Sequence, residues 1–323
     1  MAATNIEHSL VIQSNPSCSG LMPGVRAKAP EIVKEPNGQM RMVLAITDSG
    51  KSEISAKPDA DTQFDEYRDY LSKALRSCES VELCKLYDLI MQRLHETNFN
   101  EGEIKFNTSE LCDLTGRSRD NQSRVKKSYV SAAFLLGDFW FTFTFQKMTR
   151  SIHLISMIDD KIWGGFSVWI DSKVREMLRE VPKMEHDPIL YRIPNELYPL
   201  ARKIELIAHG KLHAPAASAM KSLGEFETSV ERLLSGIEIP ESWTNGRNYS
   251  RRIKWLEDAL DKFTTEFPFL KAWNWVDGRC ANLDDERATR IHFTLMQERH
   301  KLTPDDARAK GATKTRKTRA KIK

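Results

Sequence analysis

Two short basic stretches of the sequence repeat one pattern of glycine, arginine and lysine. The first runs Gly116-Arg117-Ser118-Arg119 and continues Ser123-Arg124-Val125-Lys126-Lys127, and the second runs Gly246-Arg247-Asn248-Tyr249 and continues Ser250-Arg251-Arg252-Ile253-Lys254. Each places a glycine and an arginine at the start of a predicted helix, followed by Ser-Arg, an apolar residue and lysine. Arginine and lysine can donate to guanine O6 and N7 or to phosphates, and a helix N-terminus itself favours an anion. The chemistry available here is recognition of a polyanion.

Helical periodicity gives both stretches an apolar back and a basic front. At about 100° per residue, the first helix, predicted over about Arg119 to Leu136, collects on one face Val125, Tyr129, Ala132, Ala133 and Leu136. Pointing away from that face are Asp120, Ser123, Arg124 and Lys127, with Arg119 and Lys126 at its borders. The second helix, about Arg247 to Phe267, places Arg247, Arg251 and Lys254 opposite an apolar face of Ile253, Leu256, Leu260, Phe263 and Phe267. A helix that enters the major groove of DNA needs this division.

The residues predicted to contact DNA lie on these two fronts. They are Arg117, Arg119, Ser123, Arg124, Lys126 and Lys127 in the first, and Arg247, Asn248, Arg251, Arg252 and Lys254 in the second. We expect the second helix to be the stronger reader of sequence, because it carries no acid until Asp258, whereas Asp120 lies near the start of the first. The alternative for either helix is a solvated basic surface. Repetition of the pattern, each time after a short helix and before two strands, favours DNA contact.

The elements around the first helix predict a winged helix. A short helix over Thr108 to Thr115, capped and ending at Gly116, precedes it, and the aromatic segment Phe139 to Phe145 then forms a strand. Gln146 to Arg150 is a polar turn and Ser151 to Ile158 a returning strand, so a β-hairpin follows a helix-turn-helix. The cations predicted to contact the DNA backbone from the hairpin tip are Lys147 and Arg150.

The same order recurs in the second half of the sequence. Helices are predicted at Leu200 to His209 and Phe226 to Ser235, ahead of the second basic helix, and strands at Leu270 to Val276 and Thr289 to Leu295 after it. Acids in the connection between these strands oppose a strong phosphate contact there; they are Asp277, Asp284, Asp285 and Glu286. We therefore predict an α+β protein of two tandem winged-helix domains.

Composition sets the predicted domain limits. Residues 1–62 are expected to be mostly disordered, with one strand at Met40 to Ile46, and residues 303–323 to form a basic disordered tail. Between them lie a first domain at 63–181, a linker at 182–190 that is punctuated by prolines, and a second domain at 191–302.

Positive charge is concentrated at the C-terminal end. The chain of 323 residues has a net charge of +4, but residues 308–323 are rich in Lys and Arg and hold no acid, so the remainder is net negative. Any nucleic-acid surface on the body of the protein must therefore be local. The tail residues predicted to track phosphates are Lys314, Arg316, Lys317 and Arg319.

The cysteines and the hydropathy exclude several classes of protein. The 5 cysteines are scattered and never form Cys-x-x-Cys, which disfavours a disulfide framework or a zinc site and predicts a reducing, cytoplasmic compartment. No apolar run approaches the roughly 18 residues that span a bilayer, and Met1 to Ser19 lacks the apolar core of a signal peptide. We predict no membrane partner, no cofactor and no metal.

In its element order and its two basic strings, the sequence resembles the theta-type plasmid replication initiators over roughly Phe64 to Leu295. The opening of the first domain, Leu83-Cys84-Lys85-Leu86-Tyr87-Asp88-Leu89-Ile90, adds to the resemblance. The resemblance implies tandem winged-helix domains that bind directly repeated origin sites, called iterons, initiate replication and repress the protein's own gene. It also implies a homodimer through the first domain, and the host's replicative helicase and initiator proteins as partners. The N-terminal region and the lysine-rich tail lie outside that pattern.

Two other motifs suggest chemistry but lack the residues that it requires. Ser49-Gly50-Lys51-Ser52 resembles the end of a phosphate-binding loop, but Ala45 stands where a glycine is needed and Pro58 opposes the helix that should follow. His209 and His213 stand at i, i+4, a spacing that can bind a metal, but no third ligand is evident. No nucleophile-elbow sequence is present, so no catalytic residue is predicted.

Two other functions stay open. A DNA-binding transcriptional regulator or partition protein would use the same domains and the same chemistry. A metal-dependent origin nickase is opposed by the absence of His-x-His and of an acidic metal constellation. Trp273 and Trp275 are of a type that stacks on bases, but their alternation along a strand with Leu270 and Val276 favours a place in the core.

Overall fold

The structure, a computed structural model, describes most of the chain in separate segments. They are residues 11–14, 31–35, 39–46, 52–58, 63–77, 80–145, 148–180, 183–212, 222–237, 239–244 and 246–302. These segments contain both helices and sheets, so the chain is of the α+β class. It divides into two compact units, one within residues 12–183 and one within residues 184–302.

The N-terminal region forms strands where the sequence predicted mostly disorder. The strands described within residues 1–62 are β1 (Val11–Ser14), β2 (Glu31–Lys34), β3 (Met40–Ile46) and β4 (Ser52–Ala56). With β6 (Phe139–Phe145) and β7 (Met148–His153), three of them build an antiparallel five-stranded sheet of order β2-β3-β4-β6-β7. Ile54 and Ala56 are fully buried. β3 confirms the one strand that the sequence predicted in this region, whereas β1, β2 and β4 were not predicted. β4, for example, pairs with β6 from far along the chain, and local composition gives no sign of that partner.

The helices of the first unit surround a second, smaller sheet. They are α1 (Phe64–Ser77), α2 (Ser80–Glu96), α3 (Thr108–Thr115), α4 (Gln122–Asp138) and α5 (Ser172–Glu180). The sheet consists of β5 (Glu103–Asn107), β8 (Met157–Asp159) and β9 (Gly165–Trp169), with β9 in the middle and antiparallel to both neighbours. A Cβ at Gly165 would lie 2.2 Å from the carbonyl oxygen of Phe106, so only glycine allows β9 to begin this close to β5. Helices α2 and α4 pack together through fully buried side chains, including Leu86, Ile90, Val125 and Leu136.

The hairpin predicted after α4 is not the pair of strands found in the smaller sheet. β6 and β7 form the expected hairpin, but it belongs to the five-stranded sheet. The returning strand ends at His153, and Met157–Asp159 pairs with β9 instead, so the predicted strand Ser151 to Ile158 was wrong beyond His153. Leu154 and Ile155, which prolong the apolar pattern, are buried in the connection between the two strands. Periodicity alone does not distinguish a buried connection from a strand.

The second unit repeats the order of elements found in the first. Its elements are α6 (Tyr198–Leu212), β11 (Ser222–Ser229), α7 (Val230–Leu234), α8 (Gly246–Thr265), β12 (Leu270–Trp275) and β13 (Arg290–His300). The last strand again lies in the middle of an antiparallel sheet, of order β11-β13-β12. The helix predicted from Phe226 to Ser235 was wrong in its first half, because residues 222–229 pair with β13. Phe226 and Thr228 are buried there while Glu225 is exposed, the alternation of a strand.

The segment predicted as a linker is buried. It forms β10 (Lys183–His186) and a 3-10 helix over Pro188–Arg192. Lys183, Glu185, His186 and Asp187 are all buried, which an exposed linker would not require. The charges and prolines indicated an exposed connection, but the charges find buried partners. Nζ of Lys183, for example, donates to the carbonyl oxygens of Leu178 at 2.5 Å and Arg179 at 3.2 Å.

An ionic cluster around Glu205 occupies the interior of the second unit. Glu205 Oε2 lies 2.6 Å from Nδ1 of His186 and 3.3 Å from Nη1 of Arg202, and Oε1 accepts from Nη2 of Arg299 at 2.9 Å. Burial disfavours the charge on Glu205, but the attraction of His186, Arg299 and Arg202 outweighs it and lowers the pKa of Glu205. Burial and the neighbouring Glu205 raise the pKa of Asp187. The cluster joins α6 to β13 by charge as well as by packing.

His95, near the end of α2, is a buried titratable group in the first unit. Its ring meets the ring of Phe99 edge-on, with centroids 5.0 Å apart. Burial, together with the positive charge of Lys183, lowers the pKa of His95 to about 3. The imidazole therefore stays neutral in the folded protein at pH values where an unfolded chain would bind a proton.

We expect His95 to reduce the stability of the protein in acid. The unfolded chain binds a proton at His95 below a pKa of about 6.5, whereas the folded chain does not until pH falls to about 3. Stability is therefore lost as pH falls through this window, with a limiting slope of about 1.4 kcal/mol per pH unit. His95→Phe should remove this contribution, so the free energy of unfolding of the variant relative to wild type should rise by about 2 kcal/mol between pH 7 and pH 5. Urea unfolding at both pH values measures the difference, and an unchanged pH dependence would contradict the assignment.

Candidate nucleic-acid interface

Helix α4 presents the basic front that its sequence predicted. The predicted apolar back is confirmed by burial of Val125, Tyr129, Ala132, Ala133 and Leu136. Ser123, Arg124 and Lys127 are exposed on the other side. Neither Arg124 nor Lys127 forms an ion pair with a described residue, so both cations can meet an incoming anion.

Capping groups shape the turn that leads into α4. Asn107 caps the N-terminus of α3, where its side chain accepts from the backbone N–H of Ser109 at 2.8 Å. Gly116 ends α3 in the left-handed conformation, at φ 68° and ψ 19°, which confirms the predicted helix ending at a glycine. A 3-10 turn over Arg119–Asn121 then leads into α4. Helical structure therefore begins at Arg119, near the predicted start, and becomes α-helical at Gln122.

Two arginines of the first stretch are engaged within the protein. Nη2 of Arg117 lies 2.6 Å from Oε1 of Glu82, a buried carboxylate on α2. Arg119 donates to both carboxylate oxygens of Asp113, at 3.1 and 2.6 Å, and this contact raises the pKa of its guanidinium. Arg117 therefore anchors the turn to α2. Arg119 remains exposed, and its contact with DNA stays a prediction.

Lys126 is turned toward the hairpin of the smaller sheet. Its Nζ donates to the backbone carbonyl of Ile162 at 3.0 Å, and its side chain is half-buried. This bond ties α4 to the turn between β8 and β9. The sequence placed Lys126 at the border of the basic front and predicted that it contacts DNA, which stays a prediction.

Helix α8 carries the second basic front. Ile253, Leu256, Leu260 and Phe263 are buried, which confirms its apolar back, although Phe267 lies beyond the end of the helix and is half-buried. The residues of the front that the structure describes are Asn248, which is half-buried, and Arg251 and Lys254, which are exposed. Nζ of Lys254 lies 3.1 Å from Asp258, one helical turn away. The side chain of Arg247 falls outside the described residues, so its contact with DNA stays a prediction.

Arg252 does not belong to this exposed front, and its contact with DNA stays a prediction. It is 9% exposed, and its Nε and Nη2 donate to the two carboxylate oxygens of Glu286 at 2.7 and 3.2 Å. Glu286 also accepts from the hydroxyl of Tyr249 at 3.2 Å, and that hydroxyl lies 3.1 Å from Sγ of Cys280. One residue on a helix is a rotation of about 100°, which turns Arg252 away from the exposed Arg251 and toward the loop that contains Glu286.

The remaining predicted cations lie partly outside the described residues. Lys147 and the tail residues do so, and their contacts with DNA stay predictions; the tail residues are Lys314, Arg316, Lys317 and Arg319. Arg150 lies in β7, opposite Phe143 of β6, and not in the predicted turn. The predicted turn was too long. β7 is an edge strand, and edge strands carry the same polar residue types as turns, so the start of β7 resembles a turn in sequence.

The sequence reasoning missed the turn from β8 to β9. It runs Asp160-Lys161-Ile162-Trp163-Gly164, and Trp163 is 98% exposed. The backbone N–H of Thr108 donates to the carbonyl of Gly164 at 2.8 Å, so this turn lies at the start of α3. The paired glycines Gly164 and Gly165 are a turn signal and could have located it.

Two cations of the second hairpin, Arg279 and Arg290, are paired with acids. Arg279 donates to both carboxylate oxygens of Glu257 on α8, each at 2.8 Å. Arg290 lies 3.2 Å from Glu227 and 3.3 Å from Asp277. These pairs leave little net positive charge for a phosphate.

Trp273 and Trp275 cover the side of α8 and are not in the core. Their indole N–H groups donate to Asp261 at 2.9 Å and to Glu257 at 3.2 Å, and both rings are half-buried. The alternation of side chains along β12 was predicted correctly. The face of β12 that carries the tryptophans, however, packs against an edge of α8 that remains partly exposed to water.

The described residues offer no support for nucleotide or metal chemistry. Ser52–Ala56 forms β4 directly after the string that resembles a phosphate-binding loop, where a helix would be needed. His209 is buried and His213 falls outside the described residues. Among the residues that the structure describes, no group of three or more His, Cys, Asp or Glu side chains is placed to hold a metal ion. Within the same segments, no helix is both long and apolar enough to cross a bilayer.

Comparison with known proteins finds structural similarity at low sequence identity. No protein-family model and no curated protein matches the sequence. The structure of the Pi initiator protein in complex with iteron DNA has 10% identity and a TM-score of 0.43, covering 70% of this chain and 92% of its own. A structure of domains 2 and 3 of RctB has 8% identity and a TM-score of 0.39, covering 87% of this chain and 98% of its own. At these identities and TM-scores, the similarity does not support an assignment of fold or function. Any such assignment depends on the geometry described above.

The neighbouring Arg251 and Arg252 provide a matched test of which side chain faces water. Arg252→Ala leaves the buried Glu286 without its cation, so we expect the free energy of unfolding to fall by about 3–5 kcal/mol. Arg251→Ala removes an exposed side chain and should change it by no more than about 0.5 kcal/mol. Urea unfolding of both variants measures these values. A large loss in Arg251→Ala, or none in Arg252→Ala, would show that the two side chains are placed the wrong way round.

Proposed function

We propose that this protein binds specific sequences in double-stranded DNA and initiates plasmid replication at repeated origin sites. The observation that carries the proposal is the common build of α4 and α8. Each helix buries an apolar back and exposes cations in its N-terminal half, Arg124 and Lys127 in α4 and Arg251 and Lys254 in α8. A helix that reads the major groove has this form, because its first turns meet base edges and phosphates.

Each unit is proposed to be a winged helix. Both contain the order strand, helix, helix, strand, strand, and both place the last strand in the middle of a three-stranded sheet. A hairpin behind a helix-turn-helix is the plan of that fold. On this reading β8–β9 and β12–β13 are the wings, and the β6–β7 hairpin is an addition to the first domain. The proposed domains are 63–181 and 191–302, joined by 182–190, with the N-terminal strands β2, β3 and β4 attached to the first.

The initiator role rests on two reading helices in one chain and on the resemblance of the sequence to theta-type initiators. Two such helices suit a long site or directly repeated sites better than a single short one. The resemblance adds repression of the protein's own gene, a homodimer through the first domain, and contact with the host's helicase and initiator proteins. We propose a cytoplasmic binding protein with no catalytic role of its own.

Replication in cells separates this role from simple DNA binding. A plasmid that carries the DNA beside the gene should replicate in an otherwise non-permissive host when the full chain is supplied. The double variant Arg124→Ala/Arg251→Ala should abolish both replication and the footprint over direct repeats. A footprint without replication would favour a transcriptional regulator or partition protein, and divalent-metal-dependent nicking of one origin strand would favour a nickase.

The second helix is predicted to be the stronger reader of sequence. Arg251→Ala should lower the ratio of affinity for the specific site to affinity for random DNA more than Arg124→Ala does. A lost bidentate base contact costs roughly 1–3 kcal/mol at one base pair, whereas a lost phosphate contact weakens all sequences alike. Both variants are measured on both DNAs at one salt concentration. If Arg251→Ala lowers both affinities equally while Arg124→Ala collapses the ratio, the reading helix belongs to the first unit. If neither variant changes binding, the DNA-binding proposal fails.

Deleting the basic tail should weaken all DNA binding alike and flatten its salt dependence. Each phosphate contact contributes a slope of roughly −0.9 to a plot of log affinity against log salt. A tail of equal length with serine at each Lys and Arg of residues 308–323 is the control for chain length, and it should behave like the deletion. An unchanged slope in both variants would leave the tail without a role in binding DNA.

A further inference from the structure

The turn from β8 to β9 displays an aromatic ring in water. Trp163 is 98% exposed, more than any other large apolar side chain of the described residues. A tryptophan offers a large apolar surface, and covering that surface with a ligand is favourable. The ring therefore offers a ligand more binding energy than any other side chain of this turn.

Hydrogen bonds hold the turn in one shape. The backbone N–H of Lys161 donates to Oδ1 of Asp159 at 3.0 Å, and that of Thr108 donates to the carbonyl of Gly164 at 2.8 Å. Gly164 has φ 71°, a conformation that suits glycine and directs the chain into β9. An ordered turn loses less conformational entropy on binding than a free loop, so Trp163 is presented at little entropic cost.

The turn lies beside the basic front of α4. The bond of 3.0 Å from Nζ of Lys126 to the carbonyl of Ile162 places the turn within one side chain's length of the helix. Arg124 and Lys127, on either side of Lys126 in sequence, are exposed. DNA bound to these cations would lie next to Trp163.

The charges of the turn point to the ring as its binding group. Asp159 and Asp160 stand beside the single cation Lys161, so the turn has no net attraction for phosphate. A tryptophan face can stack on a base face of any sequence, and such stacking contributes about 1–3 kcal/mol per base. In an intact duplex both faces of a base are covered by its neighbours, so the ring can stack only where the base stack is opened.

Resting on the proposed function, we propose that Trp163 is a base-stacking residue that binds an unpaired or unstacked base next to the DNA held by α4. The first unit then favours DNA that is locally opened beside its site. Sequence reading remains with the basic helices, and the turn adds a preference for an open base stack.

Binding to intact and opened DNA tests this role. The full chain is compared with Trp163→Ala, and with Trp163→Phe as the conservative control, on two probes that carry the repeats beside the gene. One probe is fully paired, and the other has a short unpaired bubble next to the repeats. The wild type should prefer the bubble, and Trp163→Ala should lose about 5- to 150-fold on the bubble and little on the paired probe. Trp163→Phe should keep most of the preference for the bubble. Because position 163 is exposed, all three proteins should unfold at the same temperature.

A fluorescent base gives a direct readout of stacking. 2-Aminopurine in the bubble should be quenched by the wild type and by Trp163→Phe but not by Trp163→Ala. Equal losses on both probes would mean that the ring contacts a closed groove, and unchanged binding to both would mean that Trp163 serves another partner, such as a protein; either result overturns the proposal. If the DNA-binding proposal itself fails, the wild type binds neither probe, or Arg124→Ala and Arg251→Ala both bind the two probes as the wild type does, and this inference fails with it.

Discussion

A helix that keeps its cations in water can be held by the rest of the protein from one side only. In α4 that side is the row from Val125 to Leu136, and in α8 it is the row from Ile253 to Phe263. Burial of a large aliphatic or aromatic side chain contributes about 1.5–3 kcal/mol relative to exposure, so the three such residues in the row of α4 and the four in the row of α8 hold each helix from one side. The three-stranded sheets, the preceding short helices and the hairpins all follow from the need to build a core behind these two rows.

Ion pairs add to this apolar packing by holding the segments that connect to the two helices. Arg117 and Arg252 come from the same basic strings as the exposed cations, but each meets a buried carboxylate, Glu82 in one unit and Glu286 in the other. A buried carboxylate without a cation is costly, so each pair holds a connecting segment in place. Arg117 holds the turn before α4, and Arg252 holds the loop that precedes β13. Similar residues in one string thus serve solvent-facing and structural roles. In α8 the angle around the helix separates Arg252 from Arg251, whereas Arg117 lies in the turn before α4.

The two hairpins differ in what they offer a ligand. Glu257 and Glu227 pair with Arg279 and Arg290 at the second hairpin. At the first hairpin, Lys126 supports the backbone of the turn and Trp163 is left uncovered. If both units bind DNA as proposed, the second contributes mainly through its helix, while the first adds a contact of different chemistry from its turn.

The sequence by itself determined the features that depend on local order. Periodicity placed the buried rows of α4 and α8, and Gly116 marked the end of α3, because helix faces and caps depend on residues within a few positions of each other. Only the tertiary structure decided which hairpin joins which sheet, since β4 and β9 pair with strands that lie far away along the chain. It also decided that the charged segment from Lys183 to Asp187 is buried and that Arg252 is not at the surface. The side chains of these residues are of types that normally stay in water, and only their distant partners, such as Glu205 and Glu286, make their burial favourable.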